Sequence, residues 1–80
     1  MMKQVGYTRS AASGLRKHRA DAARIIEKIE RYAETGAGDV KQLQGSSALR
    51  LRVGDYRVIF EETATSLTVT AIGPRGGIYD

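Results

Sequence analysis

The chain has 80 residues, a formal net charge of +4 at pH 7, no cysteine and one proline. That length holds a single domain, taken as 1–80, near the lower limit for a core without staples. The lack of cysteine excludes a disulfide framework and a thiolate zinc site. No apolar run is long enough for a signal-peptide core or a membrane span, so a soluble, cytoplasmic protein with no membrane partner is expected. The positive balance fits a polyanion or an acidic protein as partner.

Lys3 to Tyr7 begins the chain order as a short strand, with Val5 and Tyr7 alternating. Thr8 or Ser10 then caps a first helix through its hydroxyl. Ala11, Ala12 and Leu15 give that helix a thin apolar stripe, and Gly14 weakens it by roughly 1 kcal/mol relative to Ala. A break falls around Arg16-Lys17-His18-Arg19. From about Ala20 to Glu34, Ala22, Ile25, Ile26, Ile29 and Ala33 recur with helical period. Gly36 and Gly38 end this second helix, and Asp39 to Ser47 reads as a loop anchored by Val40 and Leu43.

Leu49 to Phe60 reads as a tight hairpin. Leu49, Leu51 and Val53 alternate with Arg50 and Arg52, and Gly54-Asp55 is a two-residue turn of the favoured kind. A two-residue loop pairs Val53 with Tyr56 and Arg52 with Arg57. Leu49, Leu51, Val53, Tyr56, Val58 and Phe60 then share one apolar face, while Arg50, Arg52 and Arg57 share the other. Like charges directly opposite on a sheet repel, and a chain that keeps them there points to an anion between them. Glu61 to Ser66 follows as a polar turn. In the next strand, Leu67, Val69 and Ala71 alternate with Thr68, Thr70 and Ile72, and Gly73-Pro74 ends it. The tail is Arg75 to Asp80.

This order defines an α+β fold: a small antiparallel sheet with two N-terminal helices packed on one face, β-α-α-β-β-β. The helices cover the apolar hairpin face and leave the arginine face open. His18 is the only histidine and supports no metal site by itself. No cofactor is called for.

Three segments carry a family resemblance. Lys41-Gln42-Leu43-Gln44-Gly45, then Leu49 to Phe60 with its R-x-R-x-G-D-Y-R core, then Ala71 to Tyr79 with Ile72-Gly73-Pro74-Arg75, resemble the RelE/ParE toxin superfamily. The N-terminal half matches in layout only. The resemblance implies a RelE-like fold and a toxin of a type II toxin–antitoxin system. RelE-like members cleave mRNA in the ribosomal A site, and ParE-like members inhibit DNA gyrase. Both are held inactive by a cognate antitoxin, and operator DNA is bound only as the toxin–antitoxin complex.

Carried over, the resemblance assigns a catalytic groove to Arg50, Arg52, Arg57, Arg75 and Tyr79. Two departures stand out: both strand positions are Arg where the best-known RelE has Lys, and Pro74 occupies a position that is often His. The expected function is a ribosome-dependent mRNA endoribonuclease. The alternatives are a ParE-like gyrase inhibitor and a non-catalytic relative that only binds its antitoxin.

Cleavage by a 2′-OH needs alignment, removal of the 2′ proton and stabilisation of charge on the phosphorane. Arginine suits the last task, because its planar fork matches phosphate oxygens and stays charged. It is never a base at ordinary pH. Tyr79, with an unperturbed pKa near 10, would stack on a base or shuttle a proton only with its pKa lowered by neighbouring arginines.

Overall fold

The computed structural model describes residues 2–76. The elements run β1 (Gln4–Tyr7), α1 (Arg9–Lys17), α2 (Arg19–Thr35), β2 (Asp39–Gln42), β3 (Leu49–Val53), β4 (Tyr56–Glu62) and β5 (Ser66–Pro74). The five strands form one sheet in the order β1-β5-β4-β3-β2. The α+β class and the pair of helices on one side of the sheet are as expected.

Two details of the sheet depart from the sequence reading. β1 pairs with β5 in parallel, so the sheet is mixed and not wholly antiparallel. Strand periodicity records which residues share a face, and it is blind to pairing direction. The segment expected to be a loop also holds a four-residue strand, the fifth of the sheet: β2 pairs antiparallel with β3, with Val40 opposite Leu51 and Lys41 opposite Arg50. β2 is a short edge strand in which only Val40 packs on the core, too little apolar content to announce a strand.

The helices form for legible reasons. The Thr8 hydroxyl accepts from Ala11 N at 3.2 Å and caps α1. His18 closes α1, its N–H donating to Gly14 O at 3.2 Å and Leu15 O at 3.3 Å, and the next helix starts immediately. α2 ends at Gly36, which sits in the left-handed region at φ 78° and donates to Tyr32 O at 2.8 Å. Ile25, Ile29 and Ala33 are buried along one stripe of α2, flanked by half-buried Ala22 and Ile26.

Gly14 matters for packing more than for helix propensity. It is buried, and a Cβ there would overlap the Ile72 carbonyl oxygen. Only a glycine lets α1 lie this close to β5.

The core is where the hairpin periodicity placed it. Leu51, Val53, Val58 and Phe60 are buried under the helices together with Leu67, Val69 and Ile72, while Leu49 and Tyr56 pack at its margin. Phe60 meets Tyr32 with ring centroids 5.2 Å apart. The observed β3–β4 register pairs Val53 with Tyr56 and Arg52 with Arg57. β5 departs from simple alternation. Ile59 lies opposite Ala71, but Phe60 lies opposite Val69, so Thr70 is the extra residue of a bulge. The bulge moves Ile72 into the core and sends Ala71 to the outer face, reversing the phase expected beyond Val69.

Candidate nucleic-acid interface

The sheet face turned away from the helices carries the candidate site. β3 supplies Arg50 and Arg52, and β4 supplies Arg57, Ile59 and Glu61. Arg52 and Arg57 are direct cross-strand partners, and Arg50 stands opposite Ile59. The end of β5 closes on the same hairpin. Arg57 is opposite Gly73, Tyr56 is opposite Pro74, and Arg75 N donates to Asp55 O at 2.7 Å. The structure therefore gathers Arg52, Arg57 and Arg75 at the hairpin turn, with Arg50 one step along the sheet. Tyr79 lies outside the described residues.

The four arginines are not equivalent. Arg52 and Arg75 are exposed and Arg50 is half-buried. Arg57 is 5 % exposed, the one charged residue that is buried among the described residues. Its Nη1 donates to Gly54 O at 3.1 Å and Tyr56 O at 3.0 Å. Arg57 thus straps the turn on which its neighbours stand. The expected fully open arginine face is corrected here: Arg57 and Ile59 are buried although they lie on the face away from the helices, and Arg57 is folded back onto the turn carbonyls.

The helix junction reaches the same hairpin from the other side. His18, expected as an exposed helix-end residue, is half-buried and meets Tyr56 edge-on, with ring centroids 4.9 Å apart. Tyr56 Oη lies 3.4 Å from His18 Nδ1 and donates to Asp21 Oδ2 at 2.7 Å. That hydrogen bond to a carboxylate, ahead of partial burial, raises the Tyr56 pKa above its ordinary value. Asp21 in turn accepts from Arg24 Nη2 at 3.3 Å. No sequence signal points to this cluster, because it joins residues 35 or more positions apart through tertiary packing.

Glu61, expected at the start of a polar turn, lies inside β4, which runs to Glu62. Glu62 faces the helices, accepting from Lys3 Nζ at 2.7 Å and Tyr32 Oη at 2.9 Å. Burial first and the Glu62 hydrogen bond second raise the Tyr32 pKa. The alternation that turns Glu62 inward turns Glu61 outward, onto the arginine-bearing face.

Chemically, the arginines can hold and neutralise phosphate oxygens. Among the described residues, no group of three or more His, Asp or Glu side chains is placed to hold a metal ion. No helix is long and apolar enough to cross a membrane.

The fold is shared with solved toxin–antitoxin structures. The RelE–RelB complex from Pyrococcus horikoshii superposes with a TM-score of 0.76 at 24 % identity, covering 95 % of this chain and 98 % of that one. A YafQ mutant from E. coli gives 0.77 at 12 % identity, covering 98 % and 99 %. The chromosomal ParDE system from P. aeruginosa gives 0.72 at 15 % identity, covering 92 % and 97 %. No protein-family model matches the sequence, and no curated protein matches it. At these identities the likeness establishes the RelE/ParE toxin fold, over nearly the full length of both chains.

Proposed function

We propose that this protein is the toxin of a type II toxin–antitoxin pair and acts as a ribosome-dependent mRNA endoribonuclease. The observation that carries the reading is the pairing of Arg52 with Arg57 on the outer face of a RelE-like sheet, with Arg50 beside them and the Arg75 backbone tied to the same hairpin. In this reading Arg50, Arg52 and Arg75 hold the phosphates that flank the scissile bond and offset charge on the phosphorane. Removing one such contact typically costs on the order of 2.7–4 kcal/mol in the transition state. Arg57 positions the turn and adds its own charge. Tyr79 is assigned the stacking or proton-shuttling role. The partner that restrains the toxin is a cognate antitoxin, as in the RelE–RelB complex.

A gyrase-inhibiting activity of the ParE type is the second reading. It is favoured by the strapping of Arg57 onto the turn carbonyls, which commits one of the four cations to structure, and by the likeness to the ParDE system. Induced expression in bacteria separates the two. Wild type and Arg52→Ala are compared by primer extension on a translated reporter. Cuts confined to translated regions, lost in the variant, support the nuclease. Growth arrest with filamentation and no cuts supports the gyrase reading.

A further inference from the structure

The outer sheet face does not end at the arginines. Beyond Arg50 lies a groove of about 540 Å³, within the size range of small-molecule sites. Its floor is Ile59 and Ala71, adjacent on β4 and β5, and Leu43 stands across from them. Ile59 is only 3 % exposed, so this floor is fixed. Thr70 Oγ1 donates to Ile59 O at 3.3 Å at the bulge. The far wall is the 43–48 segment, which is held in shape. Leu43 N donates to Ala48 O at 3.0 Å, Ala48 N to Ser46 Oγ at 3.0 Å, and Gln42 Nε2 to Ser46 O at 3.1 Å.

One carboxylate lines this groove. Glu61 is exposed, and among the described residues it makes no ion pair or side-chain hydrogen bond. It sits diagonally across the ladder from Arg50, because Arg50 is opposite Ile59. Such diagonal neighbours are about 7–8 Å apart and within reach of long side chains. Along β4 it is four residues, roughly 13 Å, from Arg57. A cationic patch thus borders a preformed groove of mixed lining, with Leu43, Ile59 and Ala71 as its apolar part, Ser10, Gln44, Ser46 and Thr70 as polar wall, and one carboxylate. An all-phosphate ligand would be repelled by Glu61. A nucleotide places its phosphate on the arginines and its base in the groove, the flat face toward Leu43 and Ala71 and the polar edge toward Glu61.

We propose that this groove is the base-binding subsite of the RNA, and that Glu61 selects a base with an exocyclic amino group (cytosine, adenine or guanine) over uracil. This inference rests on the RNA-binding reading above and deepens it. Unstacked bases of single-stranded RNA are read by apolar packing on their faces and hydrogen bonds to their edges. A carboxylate accepts from the amino group of cytosine, adenine or guanine. Uracil presents a carbonyl oxygen at the corresponding position of cytosine, which the carboxylate opposes.

The test is binding of the full chain to short, labelled oligo(C), oligo(A) and oligo(U) by fluorescence anisotropy, at one fixed salt concentration and then over a salt series. Oligo(C) and oligo(A) are expected to bind about tenfold more tightly than oligo(U). Glu61→Gln, whose amide both donates and accepts, shrinks that gap to under twofold. Glu27→Gln, the same charge change on the exposed side of α2, leaves the gap in place. Two results overturn the subsite while leaving RNA binding intact: no preference in wild type, or a Glu61→Gln effect that is equal on all three oligomers, as loss of a general repulsion would produce. Absence of salt-dependent binding to any oligomer overturns the RNA-binding reading and this inference with it.

Discussion

Arg57 and Arg52 face each other directly across the β3–β4 ladder, yet one is buried on the turn carbonyls and the other is exposed. The repulsion that a like-charged cross-strand pair implies is relieved by divergence. Arg57 turns its guanidinium back onto Gly54 and Tyr56, leaving Arg52 to project. The pair therefore splits into a positioning residue and a ligand-facing one.

That split predicts opposite outcomes for two alanine substitutions. Arg57→Ala removes two charge-assisted hydrogen bonds from a buried position and is expected to cost about 1.5–3 kcal/mol of folding stability. Arg52→Ala is expected to stay within about 0.5 kcal/mol of wild type while losing toxicity. Urea denaturation of both variants beside a growth assay checks the pair, and a destabilised Arg52→Ala with full toxicity would contradict it.

Gly14→Ala is expected to destabilise by roughly 1–3 kcal/mol, the usual cost of overpacking, although alanine is the better helix former by about 1 kcal/mol. The clash is with the Ile72 backbone oxygen, which no rotamer change relieves. A higher melting temperature for the variant would show that α1 stands off from β5.

Stability should fall in the alkaline range. Tyr56, Tyr32 and Tyr7 all have pKa values raised above the ordinary 10.0; for Tyr7 burial is the main cause and Glu30 adds to it. The folded state therefore keeps these protons when the unfolded state releases them. Their contribution is whole below the unfolded pKa and is lost as pH rises from about 10 through the folded values. Denaturation midpoints between pH 8 and 11 measure this, and Tyr56→Phe should flatten part of the decline.

Engagement of about four phosphates on the sheet face predicts a log–log salt slope of roughly −3 for single-stranded RNA. Removal of Arg52 should reduce its magnitude by about 0.7, read from anisotropy titrations over a salt series. A slope near zero would show that the sheet face does not hold phosphates.

The sequence made the hairpin legible because three local signals agreed there: alternating Leu49, Leu51 and Val53, a Gly54-Asp55 turn and alternating Tyr56, Val58 and Phe60. Register followed from the turn length, and with it the Arg52–Arg57 pairing. The second helix was equally plain from Ile25 and Ile29. The rest depended on tertiary facts. β2 is stabilised by its pairing with β3, not by its own composition. The bulge at Thr70 has no signature in a run of β-branched residues. The burial of Arg57 goes with its guanidinium folding back onto the Gly54 and Tyr56 carbonyls, which strand alternation does not reveal. Glu61 was hidden because Glu61-Glu62 reads as a polar turn until Lys3 and Tyr32, remote in sequence, claim Glu62.

The most direct test mixes the purified protein with programmed ribosomes and, separately, with the same mRNA free in solution. A ribosome-dependent nuclease cleaves the mRNA on the ribosome only, and Arg52→Ala loses that cleavage while remaining folded by circular dichroism. Intact mRNA on ribosomes treated with folded wild-type protein, or undiminished cleavage by Arg52→Ala, would contradict it.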